Sequence, residues 1–236
     1  TPSEVLEVHR KKLAGARDLR RMQPWIQAME GGINWPGGRS LDTPLGRAWV
    51  PVRSVKHDGE GLAGSFWSDK LQRSVEYESE LERAFFARVE RWPAVVRFTE
   101  QPVWIPLGSP DSIYCPDCLL TLEDGAQVIV EVKPMWLIPL HANWERWRAL
   151  RRFAAERGVG VLITDGRRTA QAIRNHQPME GFEREVLGVL RQRDIHWREY
   201  FDIKRRWSPS GLDFASLVLR NRLEWHLSPF RLTNHG

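Results

Sequence analysis

Residues 114–134 read YCPDCLLTLEDGAQVIVEVKP, and this stretch decides the fold. Two runs rich in apolar and β-branched residues flank the turn signal EDG at 123–125, so the stretch predicts a β-hairpin. A three-residue loop with glycine in the left-handed position would set Asp117 opposite Glu131. The hairpin therefore brings the carboxylates of Asp117 and Glu131, one from each of its strands, into register.

The register also separates polar from apolar side chains. Side chains alternate between the two faces of a strand, so Asp117, Glu131 and Lys133 share one face. The other face is wholly apolar and contains Cys118, Leu120, Leu122, Ala126, Val128, Val130 and Val132. A two-residue Asp-Gly loop would scatter the charges over both faces, so the segregation favours the longer loop. We expect the two acids and the lysine to converge.

The two cysteines of the chain, Cys115 and Cys118, flank the first of these acids. A structural zinc site needs about four protein ligands, and the sequence has no second CxxC to complete one. A redox-active CxxC begins a helix, whereas a strand follows here. We expect two reduced, partly buried thiols.

The acidic face of the hairpin has two interpretations. The run VIVEVKP at 128–134 is typical of a central strand, where charges are costly unless they are paired or bind metal. Mg²⁺ is usually held by one or two carboxylates, waters and substrate phosphates, and a nearby lysine can orient water or phosphate. The sequence thus predicts a magnesium site, while a solvated hairpin edge is the alternative.

A helix predicted at 77–92, YESELERAFFARVERW, precedes the hairpin and contributes another acid. Its core stripe is Leu81, Phe85, Val89 and Trp92, which recur at helical spacing. Glu82 borders that stripe near the helix start and is predicted to point toward the sheet as a metal ligand. Ser79 and Glu82 also fit a capping box, in which the glutamate binds only a free backbone amide. The other candidate acids are Glu76, Glu78 and Glu80, at or just before the start of this helix.

These elements resemble a known nuclease pattern. Pro116-Asp117, thirteen residues and then Glu131-Val132-Lys133 match the PD-(D/E)xK signature. The wider stretch, roughly residues 64–165, resembles the N-terminal nuclease domain of TnsA, the endonuclease subunit of heteromeric, Tn7-like transposases. Within this resemblance, Glu100-Gln101-Pro102 is expected to start a strand.

The resemblance implies an activity and partners. It implies that Glu82, Asp117 and Glu131 bind Mg²⁺, with Mn²⁺ as a substitute, and that Lys133 completes the catalytic site. The substrate would be double-stranded DNA at transposon ends, cut at the 5′ ends, while a DDE-type transposase cuts the 3′ ends and an AAA+ regulator connects both to the target. A restriction or repair nuclease without transposase partners, and a non-catalytic DNA-binding or assembly module, are the alternatives.

The resemblance and the order of elements together predict an α/β fold. After the hairpin, a helix over 141–158 and a buried strand in 159–166 return the chain to the sheet, which implies a restriction-endonuclease-like mixed sheet flanked by helices. We divide the chain into an N-terminal helix and linker (1–46), a nuclease domain (47–166) and a smaller, mainly helical or winged-helix region for partner binding (167–236). Residues 31–46 are rich in glycine and proline and read as an irregular connection.

Composition and charge narrow the class of protein. The chain is 42% hydrophobic and 28% charged, a globular balance that argues against disorder. Its net charge of +5 permits a polyanionic partner. Four arginines on the 141–158 helix are predicted to contact DNA phosphates, or else to form a solvated face: Arg146, Arg148, Arg151 and Arg152. No apolar run approaches the roughly 20 residues of a membrane span, so we expect a cytoplasmic protein without a membrane partner.

Overall fold

The computed structural model describes residues 18–46, 50–55, 63–108 and 112–234. The first helix, α1, covers residues 18–31 in its described part. The elements up to the end of the central sheet are then, in chain order, β1 (Gly64–Ser68), β2 (Arg73–Tyr77), α2 (Glu80–Val89), β3 (Val95–Glu100), β4 (Ile105–Pro106), β5 (Ile113–Tyr114), β6 (Cys118–Leu122), β7 (Gln127–Val132), α3 (Trp144–Arg157) and β8 (Gly160–Thr164).

A four-stranded mixed sheet with the order β3-β6-β7-β8 forms the centre of the fold. The first three strands are antiparallel neighbours, and β8 pairs with β7 in parallel after the α3 crossover. Strand β7 is buried along its whole length, as expected of an interior strand. The predicted α/β architecture, a mixed sheet flanked by helices as in restriction endonucleases, is confirmed.

The hairpin between β6 and β7 has the predicted register. Cys118 pairs with Val130 and Thr121 with Gln127, so Asp117 and Glu131 fall opposite each other beyond the last ladder pair. The loop closes over residues 123–125, where Gly125 has φ +84°. A three-residue loop with a left-handed glycine is therefore present, and it fixes which side chains share a face.

Helices cover both faces of the sheet. The apolar face packs against α2, which contributes Phe85, Phe86 and Val89 to a core shared with Leu120 and Val130. On the opposite face, a second core joins the hairpin residues Leu119 and Ile129 to α3 and its surroundings. Helix α3 ends at Gly158, whose φ of +65° lets the chain turn back into β8. The acid-bearing face is thus the α3 side of the sheet.

The N-terminal connection lies along the edge of this sheet. Helix α1 places Ile26 and Met29 in the α2-side core. Residues 33–46 are irregular, as predicted, but Asn34 forms an antiparallel bridge with Val161 of β8. The connection therefore shields an edge strand.

One strand boundary was predicted wrongly. Glu100 is the last residue of β3, and Gln101 follows with φ +44°, so Glu100-Gln101-Pro102 ends a strand instead of starting one. A left-handed residue interrupts the extended backbone at this point. The buried Glu100 carboxylate forms a two-pronged ion pair with Arg73 of β2, at 2.6 and 2.5 Å, a long-range contact that local sequence does not show.

The last part of the described chain is mainly helical. Its elements are α4 (Ala170–Asn175), α5 (Glu180–Leu190), β9 (Ile195–His196), α6 (Trp197–Trp207), α7 (Gly211–Arg220), β10 (Glu224–Leu227) and β11 (Phe230–Thr233). The three short strands form an antiparallel sheet in the order β10-β11-β9, and a third core lies between this sheet and the helices. Near the C-terminus of the described chain, helix α7 leads directly into strand β10. Among the residues that the structure describes, no helix is long and apolar enough to cross a membrane.

Candidate active site

The site lies at the end of the hairpin strands, on the α3 side of the sheet. Asp117 immediately precedes β6, Glu131 lies on β7, and both are buried. Lys133 Nζ lies 2.8 Å from Glu131 Oε1 and 3.7 Å from Asp117 Oδ2. The structure thus brings these three side chains together, as the hairpin register requires.

Specific donors hold the two carboxylates in place. The backbone N–H of Val132 donates to Asp117 Oδ2 at 2.7 Å, across the hairpin. The Tyr114 hydroxyl donates a short hydrogen bond to Glu131 Oε2. Glu131 Oε1 is buried and accepts no well-aligned hydrogen bond, although the Lys133 ammonium lies beside it. One carboxylate oxygen is therefore oriented by tyrosine, and the other keeps a lone pair free for a further partner.

The environment of Asp117 disfavours the charged form of its carboxyl group. Burial first, and then the charge of Glu131, raise the pKa of Asp117 to about 7, against the lowering influence of Lys133 and the Val132 amide. Two carboxylates with one lysine between them leave excess negative charge in a desolvated place. A site with such perturbed acids is typical of a functional centre that binds a cation.

The neighbouring lysine and tyrosine keep their protons. Burial lowers the pKa of Lys133, but the charges of Asp117 and Glu131 outweigh burial and raise the pKa overall. Burial and the same two carboxylates raise the pKa of Tyr114 well above its usual value. Lys133 is consequently a cation and Tyr114 a neutral donor at neutral pH.

Glu82 lies in the first turn of α2 and combines features of both interpretations. Ser79 is the N-cap, and its hydroxyl accepts from the Glu82 N–H at 3.2 Å. The Glu82 carboxylate in turn accepts from the Glu78 N–H and the Ser79 hydroxyl, both at 2.9 Å. Burial, followed by the charge of Asp117, raises the pKa of Glu82 to about 7, so its carboxylate interacts electrostatically with the site. Its role as a metal ligand stays a prediction.

The donor set fits a divalent cation bound by two carboxylates better than by three. Glu82, Asp117 and Glu131, all within the described part of the chain, do not bring one oxygen each within 4.8 Å of one another. Asp117 and Glu131 meet across the hairpin, and Glu131 Oε1 has an unused lone pair. Since Mg²⁺ commonly takes one or two carboxylates plus water, these two residues suffice to hold it.

The other candidate acids bind elsewhere. Glu76 Oε2 accepts from the Val55 N–H at 2.8 Å, and Glu78 forms a two-pronged ion pair with Arg53 at 2.5 and 3.0 Å. Glu80 is exposed and binds Arg83 at 2.7 Å, within the same helix. These partners leave Glu82 as the α2 acid that faces the site.

The four predicted DNA-binding arginines are all exposed on α3, but their side chains do not form one continuous patch. Arg148 and Arg151 line a cavity of about 290 Å³ with Arg174 and Arg222 from the following region. The Arg146 guanidinium instead lies 5.9 Å from the Tyr114 ring centroid, next to the site, while Arg152 is exposed outside that cavity. Their contact with DNA stays a prediction.

The two cysteines complete the description of the hairpin. Cys115 is partly buried and Cys118 is buried, and both are free thiols, as predicted.

Tyr114 was not predicted from the sequence. It lies on β5, outside the alternating pattern of the hairpin, so only its contact with Glu131 reveals it.

Comparison with known families places the hairpin in a recognised domain. Residues 92–165 match the model of the family described as TnsA-like endonuclease N terminal. The matched segment contains Asp117, Glu131 and Lys133 but not Glu82. A search of the curated proteins found no match to this chain. The family match, together with the mixed sheet and the acidic hairpin, assigns this part of the chain to the TnsA-like endonuclease family and implies nuclease activity.

Proposed function

We propose that this chain is a Mg²⁺-dependent DNA endonuclease that cleaves the 5′ ends of a transposon during cut-and-paste transposition. The observation that carries the proposal is the convergence of Asp117, Glu131 and Lys133 on one hairpin inside the family-matched segment. Double-stranded transposon ends are the substrate, and a separate DDE-type transposase and an AAA+ regulator are the partners.

Asp117 and Glu131 are the residues that would hold Mg²⁺, and Glu82 would join them by giving up its bonds to Glu78 and Ser79. When bound, Mg²⁺ supplies an activated water and charge stabilisation at the phosphodiester. Tyr114 fixes the orientation of the Glu131 carboxylate through Oε2, which leaves Oε1 for the ion.

Lys133 acts as an electrostatic group and not as a general base. Its pKa is raised by the two acids, so it stays protonated throughout the neutral range. A fixed ammonium at this position can donate a hydrogen bond to a non-bridging phosphate oxygen and stabilise the charge that develops there. The Lys133 side chain is only 23% exposed and its Nζ lies 2.8 Å from Glu131 Oε1, so the ammonium is held beside the acids that would bind the ion.

The test is an excision assay with transposon-end DNA, the transposase and the regulator. Lys133→Ala should lower 5′-end cleavage by at least about 100-fold, a typical loss for one charge-stabilising donor, while the thermal unfolding transition persists. Lys204→Ala, which removes an exposed lysine on α6, serves as the matched control and should cleave normally. Unchanged cleavage by Lys133→Ala would refute the assignment.

Two controls separate the alternatives. Cleavage of DNA without transposon ends, in the absence of the transposase, would favour a restriction or repair nuclease. Chelation of Mg²⁺ by EDTA should stop cleavage by the wild-type protein, and addition of Mn²⁺ should restore it. Binding of transposon-end DNA without any Mg²⁺-dependent cleavage, even with both partners present, would favour a non-catalytic module.

A further inference from the structure

A second cluster of metal-ligating side chains lies away from the acidic hairpin. His141 lies in the 3₁₀ turn that precedes α3, while Glu224 and His226 lie on β10 of the C-terminal sheet. One ligand atom from each of these residues lies within 4.8 Å of the other two. The three residues come from parts of the chain more than 80 positions apart, so only the folded protein brings them together.

Strand geometry explains the convergence. Glu224 and His226 are two residues apart on β10, so their side chains share one face, while Trp225 between them points into the C-terminal core. Leu140 forms a parallel bridge with Trp225, which sets His141 beside that face of the strand. The Trp144 ring, 4.7 Å from the His141 ring by centroid distance, lies beside the cluster.

The separations fit a shared ion better than direct hydrogen bonds. His141 Nδ1 lies 3.7 Å from Glu224 Oε1, and His226 Nε2 lies 3.5 Å from Glu224 Oε2. Both distances exceed the usual range of an N–H···O hydrogen bond. They are close to the spacing of about 3.3 Å that neighbouring ligands adopt around a tetrahedral ion with bonds of about 2.0–2.1 Å.

One ring nitrogen of each histidine also lacks a hydrogen-bond partner. His141 Nδ1 and His226 Nε2 are both buried atoms without a hydrogen-bond partner. Buried polar atoms of this kind are rare in folded proteins and call for a missing partner, such as an ion. The rings themselves are partly exposed, 32% for His141 and 29% for His226, so an ion and a water ligand can reach the cluster.

We propose that His141, Glu224 and His226 form a zinc-class transition-metal site that joins the start of α3 to the C-terminal sheet. Two imidazole nitrogens and one carboxylate form a donor set that suits zinc, with water in the fourth position. The ion would fix β10 against the turn that leads from the acidic hairpin to α3. It is separate from the proposed Mg²⁺ site, which uses only carboxylate ligands, and does not depend on the proposed nuclease function.

The first experiment measures metal content in the full chain. After chelator treatment, reloading with Zn²⁺ and dialysis against Mg²⁺-containing buffer, the wild-type protein should retain about one zinc per chain by elemental analysis, as expected for a single three-residue site. His141→Gln combined with His226→Gln should lose it. His196→Gln, which changes an exposed histidine on β9 of the same sheet, and Asp117→Asn in the acidic site should both retain it.

The second experiment measures affinity and local order. In competition with a chromophoric chelator, each single substitution, His141→Gln or His226→Gln, should weaken zinc binding at least 100-fold, the upper end of the loss seen when only a supporting residue is removed. Zinc should also slow hydrogen exchange in residues 138–144 and 223–227 of the wild-type protein. If the double variant fails to fold, the zinc affinities of the single variants test the proposal in its place.

Three results would overturn the proposal. In the first, the wild-type protein binds far less than one zinc per chain, and in the second, the double variant retains zinc as well as the wild type does. In the third case, Asp117→Asn abolishes zinc binding and His141→Gln does not, which would place the ion in the acidic site. With any of these outcomes, the cluster is an ion-paired histidine group only.

Discussion

Replacement of Asp117 by asparagine should make the stability of the metal-free protein less dependent on pH between about 4 and 7. Burial and the neighbouring Glu131 raise the pKa of this carboxyl from 3.8 to about 7. Each unit of pKa corresponds to about 1.36 kcal/mol, so a rise of about three units costs the ionised folded state up to about 4 kcal/mol. That figure is an upper limit because the charges of Asp117 and Glu131 are coupled.

The sign of this pH dependence follows from the number of protons that the folded and unfolded states bind. Because its pKa is higher in the folded than in the unfolded protein, the folded state binds the Asp117 proton more tightly. Stability should therefore fall as the pH rises from about 4 to about 7, and the full cost should be present above pH 7. Asparagine stays neutral and can still accept from the Val132 N–H, but it loses the attraction of Lys133. We expect a net gain of about 1–3 kcal/mol at pH 8.

Urea denaturation in EDTA at pH 5, 6, 7 and 8 measures this effect. The free energy of unfolding should decline less steeply with pH in Asp117→Asn than in the wild type. Glu123→Gln, which removes an exposed carboxylate from the same hairpin, is the matched control and should follow the wild type. Addition of Mg²⁺ at pH 8 should then stabilise the wild type more than Asp117→Asn. Parallel pH curves, or a variant several kcal/mol less stable at pH 8, would refute the reasoning.

Two other substitutions test the helix acid and the hairpin turn. Glu82→Gln keeps one oxygen that accepts from the Glu78 N–H, while its amide nitrogen can donate to the Ser79 hydroxyl oxygen. Its unfolding free energy should therefore change by less than about 1 kcal/mol while cleavage falls at least about 100-fold, and near-normal cleavage would show that Glu82 only caps the helix. Gly125→Ala should destabilise the protein by more than about 1 kcal/mol, because φ is +84° and the added Cβ would lie 2.4 Å from the Leu41 carbonyl oxygen. Unchanged urea denaturation would contradict that turn geometry.

The hairpin was predictable because its information is local. Period-two alternation and one glycine turn fix the register, and the register alone places Asp117, Glu131 and Lys133 on one face. The central position of β7 was also visible, since its run of β-branched residues leaves no solvent face. The three hairpin residues therefore follow from about twenty residues of sequence, whereas the fold class also required the helix and strand that come after the hairpin and the family resemblance.

The rest of the site depends on contacts that local patterns do not encode. Tyr114 reaches Glu131 from a short strand outside the hairpin, and Arg73 of another sheet binds Glu100 at the end of β3. The arginines of α3 look alike in sequence, yet Arg146 lies by Tyr114 while Arg151 lines a cavity with residues of the C-terminal region. Neighbours in three dimensions, and not spacing, determine these roles.

The position of Glu82 follows from the topology of the sheet. Helix α2 packs on the apolar face, whereas Asp117 and Glu131 project from the other face, and packed layers lie about 10 Å apart. A side chain from the middle of α2 cannot cross that distance through a sheet of paired strands. Only the first turn of α2, near the ends of β6 and β7, can present an acid to the site.

That first turn is also where a helix needs caps, because its N–H groups lack partners. The two interpretations of Glu82 are therefore consequences of one position and do not exclude each other. The bonds from the Glu78 N–H and the Ser79 hydroxyl oppose the rise in the pKa of Glu82 and so favour its ionised form, while the charge of Asp117 favours the protonated form. A cation between the two carboxylates would remove that conflict, and Glu82 can turn to it by exchanging two capping hydrogen bonds for one ligand bond.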